Sequence, residues 1–188
     1  MMGIVSAIIT IDPGANGAAA VCGVVRGRDS ILRVRDAVEV AALPPGMRRL
    51  IAFFRDAVGE TPPENVYVVS EQAGFHRAGF SASASSSFAR SCGRTEMAAA
   101  HVASHVYGVY PHAWMALLRK RFSLPDWKTG AGPKEVKARK AAIRDLILGK
   151  FPGCKVTLRN ADALALMLLT LDLLKDRDRL PDTFHIQE

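Results

Sequence analysis

Residues 7–25 read AIITIDPGANGAAAVCGVV. Two runs of small or β-branched apolar residues, 7–12 and 18–25, lie on either side of the segment Pro13-Gly14-Ala15-Asn16-Gly17. Apolar runs of this length around a segment rich in Gly, Pro and Asn are typical of two strands joined by a turn. The sequence therefore predicts that a β-hairpin opens the fold.

Helical and strand-like patterns alternate through the rest of the chain. Strands are predicted over Ile31 to Val38 and Val66 to Ser70, with another ending at Val109-Tyr110-Pro111, and helices over Met47 to Val58, Met97 to Val106, Lys134 to Lys150 and onward from about Asn160. Loops are predicted over Ala73 to Ser87 and Asp126 to Pro133. An opening hairpin followed by alternating helices and strands indicates an α/β fold, a mixed sheet flanked by helices. With 188 residues and 49% hydrophobic composition, we expect a single domain over residues 1–188.

Three acidic residues lie where an acid is costly. Asp12 ends the first predicted strand, Glu71 ends the strand that begins at Val66, and Asp162 is the first charge of the apolar stretch Ala161 to Leu171. Buried unpaired carboxylates normally become neutral, pair with a cation or bind a metal. Ligands of α/β sheets collect at strand ends, so the three side chains are expected to converge on one site.

Oxygen ligands of this kind suit Mg²⁺ or Mn²⁺, and two such ions can drive hydrolysis of a phosphodiester. Each acid also has an ordinary structural interpretation. Asp before Pro-Gly often forms a turn, and Asp162 in a first helical turn is stabilised by the helix dipole. Their joint placement favours a metal-dependent nuclease site.

Charge and cysteine content restrict the partners and the compartment. The net charge is +7, and the segment from Arg119 to Lys150 holds ten basic and three acidic residues. Such a patch suits a polyanion such as nucleic acid, although it is also typical of a solvated helix face. Three scattered cysteines argue against a disulfide framework, and the sequence shows neither a secretory signal nor about 20 consecutive apolar residues. We expect an intracellular, reducing, cytoplasmic location and no membrane contact.

The ordered motifs resemble those of RuvC-type Holliday junction resolvases, members of the ribonuclease H-like superfamily. The resemblance covers nearly the whole chain and rests on Ile11-Asp12-Pro13-Gly14 with Gly17, Ser70-Glu71-Gln72 and Ala161-Asp162-Ala163-Leu164-Ala165. Tyr110-Pro111 with Trp114, the basic helix from Lys134, and Phe151-Pro152 are similar to the phage and chloroplast branches of that group.

The resemblance implies a ribonuclease H-like fold and a homodimeric, Mg²⁺-dependent endonuclease that makes paired nicks in four-way DNA junctions. It assigns Asp12, Glu71 and Asp162 as catalytic metal ligands. It also implies junction contacts from the loop after the glutamate, where Phe75 can stack on a base, and phosphate contacts from one basic helix. The residues expected to bind DNA are Phe75, His76, Arg77, Lys134, Lys137 and Lys140.

One position departs from the family pattern. Many relatives carry a fourth acid or a histidine one turn before the last aspartate, whereas this chain has Arg159, and a guanidinium cannot bind a cation. Asn160 beside it is a candidate ligand through its carbonyl oxygen and equally a candidate helix cap. Two ions per site are expected, with the second open at this stage.

Other functions remain open from the sequence. Asp12-Pro13-Gly14 before a small-residue strand also resembles the phosphate hairpin of actin-like ATPases and sugar kinases, although the chain is short for their two domains. Arg159 leaves room for a non-catalytic module that binds junctions or other nucleic acids. Other ribonuclease H-like nucleases would keep the acids and change the substrate.

Overall fold

The computed structural model describes residues 4–14, 17–26, 32–72, 81–126, 132–176 and 180–186. The described strands are β1 (Ile4–Asp12), β2 (Ala18–Arg26), β3 (Leu32–Val34), β4 (Glu39–Ala42), β5 (Val66–Glu71), β6 (His105–Val109) and β7 (His185–Ile186). Helices occupy α1 (Met47–Val58), α2 (Ala82–Ala99), α3 (Pro111–Phe122), α4 (Pro133–Lys150) and α5 (Ala161–Asp176), with a short 3-10 turn at Pro63–Asn65.

The described strands form one mixed sheet in the order β3-β2-β1-β5-β6-β7, with β4 also paired to β2. The opening hairpin is confirmed, because β1 and β2 are antiparallel from Ile4↔Arg26 to Asp12↔Ala18. Strands β1, β5 and β6 are parallel. Since parallel strands end at the same edge of a sheet, Asp12 and Glu71 are brought to one edge, and the predicted α/β fold is confirmed.

Helices cover both faces of the sheet. Along β1, Ile8 packs in the core formed with α3, α4 and α5, while Ile9 and Ile11 pack in the second core with α1 and α2. This alternation follows from the two-residue period of a strand. A continuously apolar strand such as β1 or β5 is therefore buried on both sides, as expected in a parallel arrangement.

Glycine is required in the turn between β1 and β2. The amide of Gly17 donates to the carbonyl of Gly14 at 2.8 Å, and the carbonyl of Gly17 accepts from the amide of Leu43 at 2.9 Å. A Cβ at Gly17 would meet the carbonyl oxygens of Asp12 and Gly14. The close return of the chain beside Asp12 thus depends on the missing side chain.

Two predicted segments are wrong in the structure. Part of the predicted loop Ala73 to Ser87 is helical, because α2 begins at Ala82 with Ser81 as its cap: the Ser81 hydroxyl accepts from the Ala84 amide at 3.2 Å. The predicted helix Met97 to Val106 is also displaced, since α2 ends at Ala99 and strand β6 begins at His105. Small residues at the buried positions of α2 hide its helical period in the sequence.

The predicted strand Ile31 to Val38 has the wrong bounds. Pairing with β2 stops after Val34, where the amides of Arg35 and Asp36 both donate to the carbonyl of Gly23, and resumes in β4. Two amides on one carbonyl is the pattern of a bulge, which interrupts the ladder. The predicted loop Asp126 to Pro133 lies largely outside the described residues, and its last residue begins α4.

The helices α1, α4 and α5 agree with their predicted positions, and Gly59 follows α1. Within the described ranges, none of the helices has the length and apolar character that a membrane crossing requires.

Candidate active site

The three predicted acids line one cavity. Asp12 and Glu71 end the neighbouring parallel strands β1 and β5, whose register pairs Ile11 with Ser70. Asp162 lies in the first turn of α5. The cavity has a volume of about 990 Å³ and includes all three side chains in its wall. The fold thus places the three acids in one cavity wall, as far as the described residues show it.

Helix α5 is fixed to β1 beside Asp162. The buried hydroxyl of Thr10 donates to the carbonyl of Ala163 at 2.7 Å, and this bond joins residues 153 positions apart. Thr10 and Ala163 are fully buried. The first turn of α5 is therefore held at the end of the strand that carries Asp12.

A buried tryptophan holds Glu71. The indole Nε1 of Trp114 on α3 donates to Oε2 of Glu71 at 3.0 Å. Glu71 is only 6% exposed and Trp114 only 1% exposed. A hydrogen bond to a buried carboxylate compensates part of its lost hydration and fixes its orientation.

Asp162 and Asp12 also have neighbours that limit their freedom. The ammonium of Lys140 lies 3.7 Å from Oδ2 of Asp162, and the two side chains are 30% and 23% exposed. Oδ1 of Asp12 accepts a long hydrogen bond of 3.4 Å from the amide of Gly14. Asp12 therefore both accepts a hydrogen bond within the turn and lines the cavity.

The three carboxylates are of the chemical type that binds a hard divalent cation. Asp12, Glu71 and Asp162 offer carboxylate oxygens, the ligands that Mg²⁺ and Mn²⁺ prefer. Across the described ranges, however, no three His, Cys, Asp or Glu side chains are close enough together to hold an ion. Binding a cation there would therefore draw the carboxylates closer together than they lie in this conformation.

Asn160 does not line the cavity that holds the three acids. It lines a separate cavity of about 350 Å³ together with Arg159. Its side-chain oxygen accepts from the amide of Thr157 at 2.7 Å and its Nδ2 donates to the carbonyl of Lys155 at 2.9 Å. The structure thus does not bring the predicted Asn160 ligand to the three carboxylates, because its amide fastens the turn before α5.

The predicted DNA-binding residues divide into three groups. Lys140 lies in the cavity wall, whereas Lys134 and Lys137 are exposed earlier on α4. Phe75, His76 and Arg77 lie outside the described residues. Only Lys140 of this set is placed at the candidate site by the described geometry.

Solved structures with a similar fold were found, while neither the family models nor the curated proteins gave a match. One is Thermus thermophilus RuvC in complex with a Holliday junction substrate, 17% identical, with a TM-score of 0.57. Another is a Thermus thermophilus RuvC structure, 18% identical, with a TM-score of 0.52. Each alignment covers 96% of this chain and 99% of the other. The chain has a RuvC-type fold.

Helix α2 forms a side of this cavity that the sequence did not predict. Six of its residues line the wall at helical spacing: Ala84, Ser87, Phe88, Arg90, Ser91 and Arg94. The first two lie in the predicted loop Ala73 to Ser87, and no helix was predicted over the other four. The sequence carries no clear apolar period there, because the positions that α2 buries, such as Cys92, Thr95 and Ala98, hold small residues like their neighbours.

The acid of α2, Glu96, has an altered pKa. Burial raises the pKa of Glu96 above its ordinary value, and a hydrogen bond with Gln72, the residue after Glu71, opposes that rise in part. Glu96 is not among the residues that line the cavity. Its role in the RuvC-type fold is therefore a contact between α2 and the end of β5.

Proposed function

We propose that this protein is a divalent-metal-dependent DNA endonuclease that cuts four-way junctions, with Asp12, Glu71 and Asp162 as its metal ligands. The observation that carries the proposal is the shared cavity: two parallel strand ends and one helix start, remote in sequence, each place a carboxylate in its wall. The RuvC-type fold supports the same conclusion, since one of the similar proteins was solved with a Holliday junction.

Each side chain has a distinct part in the proposed reaction. Bound Mg²⁺ or Mn²⁺ ions would activate a water molecule and stabilise the leaving oxygen of the phosphodiester. Trp114 holds the Glu71 carboxylate in place at 3.0 Å, so that less reorganisation is needed when a cation binds. Lys140 is positioned to pair with a DNA phosphate once a cation replaces it at Asp162.

Lys140 also supports a second candidate function. Its ammonium is within ion-pair distance of Asp162, which partly neutralises one of the proposed ligands. Together with the spacing of the acids among the described residues, this arrangement favours a module that binds junctions without cutting them. An actin-like ATPase is disfavoured by the RuvC-type fold of the chain.

One cleavage assay separates these functions. Labelled four-way junction, linear duplex, RNA–DNA hybrid and ATP are each incubated with the protein in Mg²⁺ and in Mn²⁺. We expect cleavage of the junction alone, and its loss in Asp12→Asn with junction binding retained. Asp56→Asn, which changes an exposed acid of α1 in the same way, serves as the control and should cut normally.

Each unexpected result has a defined meaning. Tight binding of the junction without a cut in either metal would support the non-catalytic module. Cleavage of the hybrid in preference to the junction would indicate another ribonuclease H-like nuclease, and turnover of ATP without DNA would support the kinase-like class.

We further propose that the protein acts inside the cell as a homodimer. Paired nicks on a two-fold symmetric junction match a two-fold symmetric enzyme. Within the described residues, Cys22, Cys92 and Cys154 form no disulfide, and this supports an intracellular location. Light scattering after size exclusion tests the dimer, and a monomeric mass at assay concentration would contradict it.

A further inference from the structure

Helix α2 presents two arginines to the cavity that holds the three acids. Arg90 and Arg94 are four residues apart, which places them on one side of a helix, and both belong to the cavity wall. Neither guanidinium forms an ion pair with any acid of the described ranges. Two arginines beside three carboxylates, without an ion pair to any of them, indicate that the arginines are reserved for another anion.

Arg94 gives the more specific signal. Its Nε atom is buried, yet within the described part of the chain it has no hydrogen-bond partner. A buried donor without an acceptor is destabilising, so such donors are normally paired. An incoming anion at the cavity would supply the missing acceptor.

The position of α2 relative to Asp12 is fixed by a direct contact. The hydroxyl of Ser91 donates a hydrogen bond to the carbonyl of Pro13, the residue after Asp12. Ser91 lies between Arg90 and Arg94 on the helix. The helix that carries Arg90 and Arg94 is therefore held beside the strand end that carries the proposed metal ligand.

The anion that this arrangement fits is a backbone phosphate. A guanidinium presents a planar fork of N–H donors that matches two phosphate oxygens, and it keeps its charge at every working pH. A carboxylate-lined cavity alone would repel a DNA strand. Arg90 and Arg94 offset that repulsion from within the same wall.

We propose that Arg94, with Arg90 one turn before it, binds a backbone phosphate of the DNA strand that enters the cavity, and so positions the strand beside Asp12. This assignment rests on the proposed function, since it takes DNA as the ligand. It adds α2 to the DNA-binding surface, which the sequence had placed only on α4 and on residues 75–77.

The test measures junction binding in EDTA, where no cleavage occurs, as a function of salt concentration. Each phosphate contact contributes about 0.9 to the slope of log K against log salt on duplex DNA. We expect Arg94→Gln to reduce that slope by about 1 and to weaken binding about tenfold or more. Arg94→Lys should keep the slope and lose part of the affinity, because an ammonium lacks the fork.

The matched control is Arg48→Gln, which removes the same charge from an exposed position on α1 that does not line the cavity. We expect it to leave both the slope and the affinity close to those of the wild type. Equal effects of Arg48→Gln and Arg94→Gln would mean a general charge effect and would overturn the proposal.

A second measurement locates the phosphate. Junctions carrying a single neutral methylphosphonate at successive positions are bound to the wild type and to Arg94→Gln. The proposal requires one position at which the neutral group weakens junction binding by the wild type. At that position it must not further weaken binding by Arg94→Gln, which already lacks the contact. Losses that add at every position would refute a direct contact. If Arg94→Gln does not fold, Arg90→Gln gives the same test.

The failure of this inference is distinguishable from the failure of the proposed function. If the wild type cuts junctions but the slope is unchanged in Arg94→Gln, only the arginine assignment falls. If the slope changes as expected but no DNA is cut in Mg²⁺ or Mn²⁺, the phosphate contact stands and the nuclease does not.

Discussion

The contact between Trp114 and Glu71 makes the sharpest prediction about the site. Trp114→Phe keeps an aromatic ring in the core and removes the N–H that donates to Oε2 of Glu71 at 3.0 Å. Because Glu71 is only 6% exposed, water has little access to replace the lost donor. A hydrogen bond to a charged group contributes about 1.5–3 kcal/mol, and the smaller ring adds the cost of a cavity.

A double-mutant cycle separates the hydrogen bond from the cavity. Trp114→Phe, Glu71→Met and the double variant are unfolded in urea, followed by far-ultraviolet circular dichroism so that loss of the indole does not affect the signal. The cavity cost appears on both sides of the cycle and cancels. We expect a coupling free energy of about 1–3 kcal/mol between the two positions.

The same variant should affect the proposed reaction in a specific way. We expect Trp114→Phe to weaken Mn²⁺ binding measured by calorimetry and to slow cleavage, while junction affinity in EDTA stays at the wild-type value. A coupling free energy below about 0.5 kcal/mol, within the usual error of additivity, would refute the assignment of Trp114 as the residue that positions Glu71. Unchanged Mn²⁺ affinity would refute its link to the metal.

Three further predictions concern stability. Gly17→Ala is expected to lower the free energy of unfolding by about 1–3 kcal/mol, because its Cβ would meet backbone oxygens. Gly93→Ala in α2 has open space around its Cβ and should be neutral or stabilising by up to about 1 kcal/mol. Urea unfolding of both variants checks this, and equal losses of stability would contradict it. Burial raises the pKa of Glu96, so its stabilising contribution is present below its ordinary pKa of 4.5 and is lost as the pH rises through the raised value. Glu96→Gln should therefore be more stable than the wild type at pH 7 and lose that advantage towards pH 4 in thermal melts; an advantage independent of pH would point to another cause. Lys140→Met is expected to change the free energy of unfolding by less than about 1 kcal/mol, because the pair with Asp162 is partly exposed, and a larger loss that persists in high salt would show a different role for the lysine.

Much of the fold follows from local patterns in the sequence. The apolar runs predicted β1, β2 and β5 because a strand buried on both faces has no polar alternation. The periodicity of Leu50, Phe54 and Val58 predicted α1 because those residues share one buried side of a helix. Helix α2 was not predicted, since its buried positions hold Cys92, Thr95 and Ala98, which do not stand out from their small neighbours.

The site was predictable only as far as chain topology fixes it. Asp12 and Glu71 follow Ile11 and Ser70, which are paired in register, so they share an edge of the sheet once β1 and β5 are parallel neighbours. The sequence was sufficient to predict this shared edge. The partner of Glu71 was not predictable, because Trp114 lies 43 residues away on α3 and no local pattern links the two. The arginines of α2 depended on a helix that the sequence concealed.

The charges around the cavity couple the binding of metal to the binding of DNA. Among the described residues of its wall, three acids face three bases, Arg90, Arg94 and Lys140. A wall of balanced charge gives a phosphate backbone little net attraction, whereas divalent cations on the carboxylates would make it strongly positive. Lys140, now 3.7 Å from Asp162, would at the same time be displaced towards the DNA. Metal binding and DNA binding should therefore strengthen each other, and by linkage the junction must raise Mn²⁺ affinity by the same factor as Mn²⁺ raises junction affinity.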